Sequence, residues 1–174
     1  VNYVKTLEEG YAKFPNEEFF LMSLIDAYIQ SSQNEKAISY LNTAIAQKPS
    51  DSQLYHALGI VYETGIKDYA KAEETFKKAL EVNPESVESM SALGRIYYNQ
   101  AVNKQGEANM INDSKKYQEE LTIAKDLFKQ ALPYFQKAHE MKPSESEYMV
   151  ALRGIYYNLN MGPELEAIEA EMNK

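Results

Sequence analysis

The sequence predicts an all-α protein: an α-α superhelix, a right-handed solenoid of antiparallel helix pairs, with one hairpin extended by an insertion. Three observations carry this expectation. Pro15, Pro49, Pro84 and Pro143 each close a helical stretch and precede a polar cluster, and their separations are 34, 35 and 59 residues. Periods near 34 mark stacked helix–turn–helix units, so the second interval is one residue long and the third about 25. Between the prolines a pattern of small and large residues recurs in register. Finally, apolar residues within the longest unit follow the 4-3 spacing of a helical seam.

In the first helices Leu24-Ile25, Leu58-Gly59, Leu93-Gly94 and Leu152-Arg153 hold one position, and Tyr28, Tyr62, Tyr97 and Tyr156 follow. The second helices repeat Ala37, Leu41 and Ala44, then Ala72, Phe76 and Ala79, then Ala131, Phe135 and Ala138. Gly59 and Gly94 let two backbones approach, the alanines do so from the other side, and the rings fill the gap. Each hairpin keeps one apolar face that its neighbour covers, so the units stack. Residues 16–49 and 50–84 read as complete units, 85–143 as a unit with a long inserted hairpin at about 100–124, and 144–174 as a C-terminal repeat or cap. Residues 1–15 read as the second helix of a truncated repeat, packing through Tyr3, Leu7 and Gly10. An array seldom opens mid-unit, and Val1-Asn2-Tyr3-Val4 does not resemble a native start. The expectation is the C-terminal part of a longer protein. Asn34 and Asp68 sit where second helices should begin, Ser144 with Glu147 spells a capping box, and the Glu-rich stretch from Pro163 to Lys174 reads as a polar cap.

The insertion does not read as a loose loop. Tyr117, Leu121, Ala124, Phe128, Ala131, Phe135 and Ala138 are spaced 4, 3, 4, 3, 4, 3. The opposing helix continues through Ala101 and Ala108 towards Ile111, interrupted by Lys104, and Asn112-Asp113-Ser114 supply the turn and the next N-cap. About twelve extra residues per arm lengthen the hairpin by 18 Å at 1.5 Å per residue. Pro133 removes one backbone hydrogen bond and is expected to bend the second arm near Lys129.

Composition narrows the function. The 18 basic and 26 acidic residues give a net charge of -8 with no basic block, which disfavours nucleic acid. There is no Cys, and no apolar run approaches the ~18–20 residues that cross a bilayer, so neither a thiolate site nor membrane insertion is expected. His56 and His139, the two histidines, fall in different units, His139 on a face expected to be exposed. With no phosphate loop, His-Glu-x-x-His or calcium loop, the expectation is no catalytic residue, no metal and no cofactor.

The repeat resembles the tetratricopeptide repeat along nearly the whole chain. The family's Trp position holds Leu21, Tyr55, Met90 and Met149, which keeps an apolar residue there. The segments YYNQAVN at 97–103, ALPYF at 131–135 and ALRGIYYNLNMG at 151–162 resemble tetratricopeptide proteins of Bacteroidetes with an insertion in the penultimate repeat. That resemblance implies an exported, periplasmic or cell-envelope location, while a cytoplasmic one stays open. It further implies a non-catalytic scaffold that binds a peptide or protein partner in a concave groove lined by first helices. Carried over, the groove comprises Phe19, Met22, Asp26 and Gln30; Gln53, His56, Ile60 and Glu63; Ser91, Arg95, Tyr98 and Asn99; and Tyr157 and Asn158, with Glu147 and Val150 beside them. The second Tyr of Tyr97-Tyr98 and of Tyr156-Tyr157 is expected to face the groove. The Lys/Asn/Arg clamp with which some relatives grip a chaperone's acidic tail is missing, since Met22, Asp26, Ala57, Glu88 and Ala92 occupy its positions. Two alternatives stand beside the scaffold: a self-associating structural module, and a carbohydrate-binding surface built on Tyr98, Tyr157, Asn99 and Asn158.

Overall fold

The computed structural model describes residues 3–173. Val1, Asn2 and Lys174, assigned from sequence to the two ends, lie outside the described residues. The described residues form paired antiparallel α-helices and turns, with no sheet. They divide into two compact units, up to Ser86 and from Val87.

The first unit holds α1 (Tyr3–Lys13), α2 (Glu18–Gln30), α3 (Asn34–Gln47), α4 (Ser52–Ile60) and α5 (Tyr69–Val82), each packed on the next. Its core joins Leu7 and Tyr11 of α1 to Leu24, Tyr28 and Leu41, the last three wholly buried. Tyr3 is exposed instead of packed, because α1 turns its Leu7–Tyr11 stripe inward. The rings of Tyr11 and Tyr28 both approach that of Tyr40, at 5.6 and 5.7 Å between centroids. The Tyr28 hydroxyl donates to Glu8.

The one-residue excess of the 35-residue interval has a structural location. After Ile60 the chain continues as a π-helical turn over Val61–Ile66. At the ends of α2 and of a later first helix, the carbonyls of Tyr28 and Tyr156 accept from the fifth residue on, Gln33 and Met161, at 2.8 and 2.9 Å. The equivalent Tyr62 carbonyl accepts from the sixth, Asp68, at 2.9 Å. A residue inserted into a helix is absorbed most cheaply as such a bulge. Ser32, Lys67 and Asn160 take the left-handed conformation at these three corners, each two residues before the next helix. Asn34 opens α3 as expected, yet its side chain does not cap; its amide donates to the Gly65 carbonyl at 2.9 Å, tying α3 to the bulge.

The second unit holds α6 (Val87–Ala108), α7 (Ser114–Met141), α8 (Ser146–Leu159) and α9 (Gly162–Met172). α6 has 22 residues and α7 28, against 14 each in α8 and α5. The lengthening is therefore unequal, about 12 Å on α6 and 21 Å on α7. Ala101, Ala108, Ala124, Phe128, Ala131 and Ala138 are wholly buried along this hairpin. Lys104 does not break the seam: its ammonium bridges Glu107 of its own helix at 2.8 Å and Glu120 of α7 at 3.3 Å. α7 runs through Pro133 as one helix, and Asp113 caps it by accepting from the Lys116 amide at 2.9 Å. The capping box at Ser144 does not form. The Glu145 amide closes a backbone turn on the Lys142 carbonyl at 3.2 Å, so α8 starts at Ser146 with Glu145 before it.

A Cβ on Gly59 would meet the Phe76 ring at 2.5 Å, whereas one on Gly106 would meet nothing within 4 Å. Thermal unfolding of Gly59→Ala should show a loss of about 1–3 kcal/mol from overpacking, and Gly106→Ala a gain of about 0.5–1 kcal/mol from helix propensity. Burial, reinforced by donation to Glu8, holds the Tyr28 phenol well above the ordinary tyrosine range. The folded state thus keeps a proton that the unfolded chain releases. This stabilisation is complete below about pH 10 and is lost as pH rises beyond it. In denaturant titrations at rising pH, Tyr28→Phe should lose less stability above pH ~10 than the parent, the ordinary tyrosine value marking that onset.

Candidate partner-binding surface

Within the first unit, α2 presents Phe19, Met22, Asp26 and Gln30, and α4 with the π-helical turn after it presents Gln53, His56, Ile60 and Glu63, at steps of three or four. Phe19, Asp26, Gln30 and Gln53 are exposed, while the other four are half-buried. Phe19 is 68% exposed and meets Phe20 edge-on at 5.5 Å, and Phe20 stacks on Phe14 at 6.0 Å. His56 lies 5.4 Å from the Phe76 ring, so much of its imidazole is spent inside its own hairpin. Ile60 and Glu63 flank and join the π-helical turn.

In the second unit the sequence-chosen residues separate. Asn99, Glu147, Val150 and Tyr157 are exposed, Tyr157 by 71%. Ser91 is buried, its hydroxyl donating to the Glu88 carbonyl at 3.1 Å. Arg95 is half-buried, with its guanidinium 4.0 Å from Glu147 of α8. Tyr98 does not project outward: its ring meets Phe128 edge-on at 5.5 Å, and its hydroxyl sits where a Cβ on Gly154 would come within 2.5 Å. Phe128 corresponds to the first residue of an ordinary second helix, as Tyr69 is of α5, and its ring together with Gly154 of α8 converts an outward tyrosine into a packing one. Asn158 is likewise committed, accepting from Gln105 of α6 at 2.6 Å and donating to the Gly154 carbonyl at 2.8 Å. His139, expected on an open face, is half-buried with its Nε2 3.3 Å from the Glu171 carboxylate of α9. The polar cap covers it.

Tyr157 and Asn158 border a cleft of about 790 Å³ that the sequence did not reveal, shared with Tyr117, Leu121 and Lys125 of α7 and Leu165 of α9. The only available signal was that the 4-3 seam of α7 continues to Tyr117, beyond the reach of a hairpin the length of α8 and α9.

Cations elsewhere are mostly matched. Hydrogen bonding to Glu107, then Glu120, raises the Lys104 ammonium, and Glu88 at 2.8 Å does the same for Lys142. Among the described residues no three acidic or histidine side chains gather as a metal site, and no helix is long and apolar enough to cross a membrane.

Paired helices, the recurring interval and the ring-and-glycine contacts define an all-α helical solenoid of antiparallel pairs, a tetratricopeptide-like helical-repeat fold. Residues 52–86 match the tetratricopeptide repeat family. Interferon-induced protein with tetratricopeptide repeats 2 of Cricetulus griseus is 26% identical over 164 residues, covering 93% of this chain and 33% of that protein. Tetratricopeptide repeat protein 37 of Xenopus laevis is 33% identical over 82 residues, 44% of this chain and 5% of that protein. The chain thus spans a third or less of the length of these relatives. A crystal structure of MamA aligns over 97% of this chain and 83% of its own with TM-score 0.64 at 15% identity. A monomeric mutant of IFIT1 with Gppp-AAAA aligns over 96% and 35% with TM-score 0.72 at 19% identity. At these identities the likeness concerns the fold alone.

Asn158→Ala should remove the Gln105–Asn158 bond that ties α6 to α8, and a loss of about 0.5–1.5 kcal/mol in urea unfolding is expected.

Proposed function

We propose that the chain is a non-catalytic scaffold that engages a peptide or protein partner through the first-helix faces of its units. The observation that carries this is the stripe on α2, where Phe19, Asp26 and Gln30 stand exposed at helical spacing. A large exposed ring between polar side chains is the usual anatomy of a recognition surface. Exposed Tyr157, Asn99, Glu147 and Val150 would serve similarly in the second unit, whereas Ser91, Tyr98 and Asn158 are spent on internal contacts and drop out of the contact set. The class of protein supports this reading, and so does the missing carboxylate clamp, which points away from a chaperone tail. An exported, cell-envelope location belongs to the proposal and rests on the resemblance of the segments at 97–103, 131–135 and 151–162.

IFIT1 is solved with Gppp-AAAA, but that ligand belongs to that protein. Here the net charge is -8, and a polyanion would meet repulsion. Self-association is a second reading, favoured by exposed Tyr3, Phe14 and Phe19 around α1. A carbohydrate surface has less behind it, because Asn158 has both ends of its amide engaged.

Joint Phe19→Ser and Asp26→Lys substitution should cut capture of a cross-linked partner about tenfold, the loss of a good contact cluster, with an unchanged thermal melt. Equal capture by parent and variant would exclude the α2 face. Light scattering across a concentration range separates self-association, since it requires a mass that rises with concentration and falls on Phe19→Ser.

A further inference from the structure

We infer that the cleft between the long α6–α7 hairpin and the α8–α9 corner is a second binding site, which takes an extended peptide pairing aliphatic side chains with an acidic side chain. It rests on the reading of the chain as a scaffold, but not on the first-helix faces.

The insertion creates the cleft. α8 ends at Leu159, and Asn160 turns the chain into α9. Below this corner the α7 seam is sealed, with Ala124 and Phe128 wholly buried. Above it the seam continues through Tyr117 and Leu121, but these two are only half-buried. They form an apolar wall facing Tyr157 and Leu165 across a space of about 790 Å³, within the ~300–1,000 Å³ of ordinary ligand sites. The walls are held in place, since Gln105 of α6 bonds Asn158 of α8 at 2.6 Å. The cleft therefore exists before any guest arrives, which lowers the cost of binding.

Charge identifies the guest. The chain carries 26 acidic residues against 18 basic, yet no carboxylate lines this cleft, and Lys125 is its single charged side chain. On the same helix Lys115, Lys129 and Lys137 lie 3.9, 2.8 and 3.6 Å from carboxylates, and Lys142 just past its end lies 2.8 Å from Glu88. Lys125 is exposed and has no such partner among the described residues. An unmatched ammonium above an apolar wall complements a carboxylate flanked by aliphatic groups. One cation is too few for a nucleic-acid strand. A saccharide needs several directional partners, and Asn158 already spends both ends of its amide.

The full chain should be applied to an array of synthetic octapeptides in which Leu, Ile or Ser positions are combined with Asp, Glu, Gln or Lys, and in parallel to a glycan array. Retention on the aliphatic-acidic peptides is expected. Lys125→Gln should weaken it about threefold, in line with an exposed ion pair, and Lys125→Glu should shift preference to the Lys-bearing peptides. Leu121→Ser should weaken all aliphatic peptides about tenfold, one pocket contact's worth. Joint Phe19→Ser and Asp26→Lys substitution should leave retention unchanged. Selection of neutral or basic peptides, selection of glycans, no retention, or retention that ignores Lys125→Glu would each overturn the proposal. If retention is lost in the Phe19/Asp26 variant and kept in Lys125→Glu, the cleft is refuted while the scaffold reading survives; loss in neither refutes the cleft assignment as well.

Discussion

The contact on which much of the packing depends is an aromatic side chain pressed onto a glycine of a neighbouring helix, within the α4–α5 and α6–α7 hairpins and between adjacent hairpins elsewhere. A Cβ at Gly10 would lie 2.4 Å from Phe20, at Gly59 2.5 Å from Phe76, at Gly94 3.0 Å from Phe135 and at Gly154 2.5 Å from the Tyr98 hydroxyl. Each glycine lets a ring occupy the space that a side chain would take, so helix axes come close and the ring buries both faces. Glycine inside a helix costs about 0.5–1 kcal/mol, which burial of an aromatic side chain readily offsets. The alanines at 37, 44, 72, 79, 131 and 138 are all buried and extend the same close approach along each second helix.

Much of this was legible because periodicity reports packing. Leu24, Leu58, Leu93 and Leu152 were aligned by interval alone, and all four are buried. Where sequence reasoning failed, contacts that the helical period does not report decided the outcome. Tyr98 and Ser91 occupy positions that face outward in an idealised unit, but Tyr98 is claimed by Phe128 and Gly154. His139 is half-buried against α9, a neighbour that its own helical period cannot report. The Ser144 capping box lost to a backbone turn ending at Glu145, since short-range side-chain and main-chain bonds compete for the same amides. The 35-residue interval announced an extra residue without saying where it lies; only the hydrogen-bond register around Tyr62 places it.

The π-helical turn also shows how a repeat tolerates a length error. An extra residue could shift every later side chain by about 100°, the rotation per residue of a helix with 3.6 residues per turn. Instead the bulge confines the shift between Ile60 and Lys67, and α5 resumes with Ala72, Phe76 and Ala79 buried in register. The Asn34 amide on the Gly65 carbonyl satisfies one of the backbone groups that the bulge frees.

The larger insertion had a different solution. Added length in α6 and α7 could not be absorbed within a turn, so it was built outward as a hairpin whose inner seam stays small and dry at Ala101, Ala108 and Ala124. A hairpin longer than its neighbour must present seam residues that the neighbour cannot cover. Tyr117 and Leu121 are those residues, and their half-burial follows from α8 ending at Leu159. The cleft is thus the geometric remainder of a length mismatch. Its wall is apolar because it continues a core seam, and its single charge, on Lys125, stands unmatched because no acidic residue lies three or four residues away on α7.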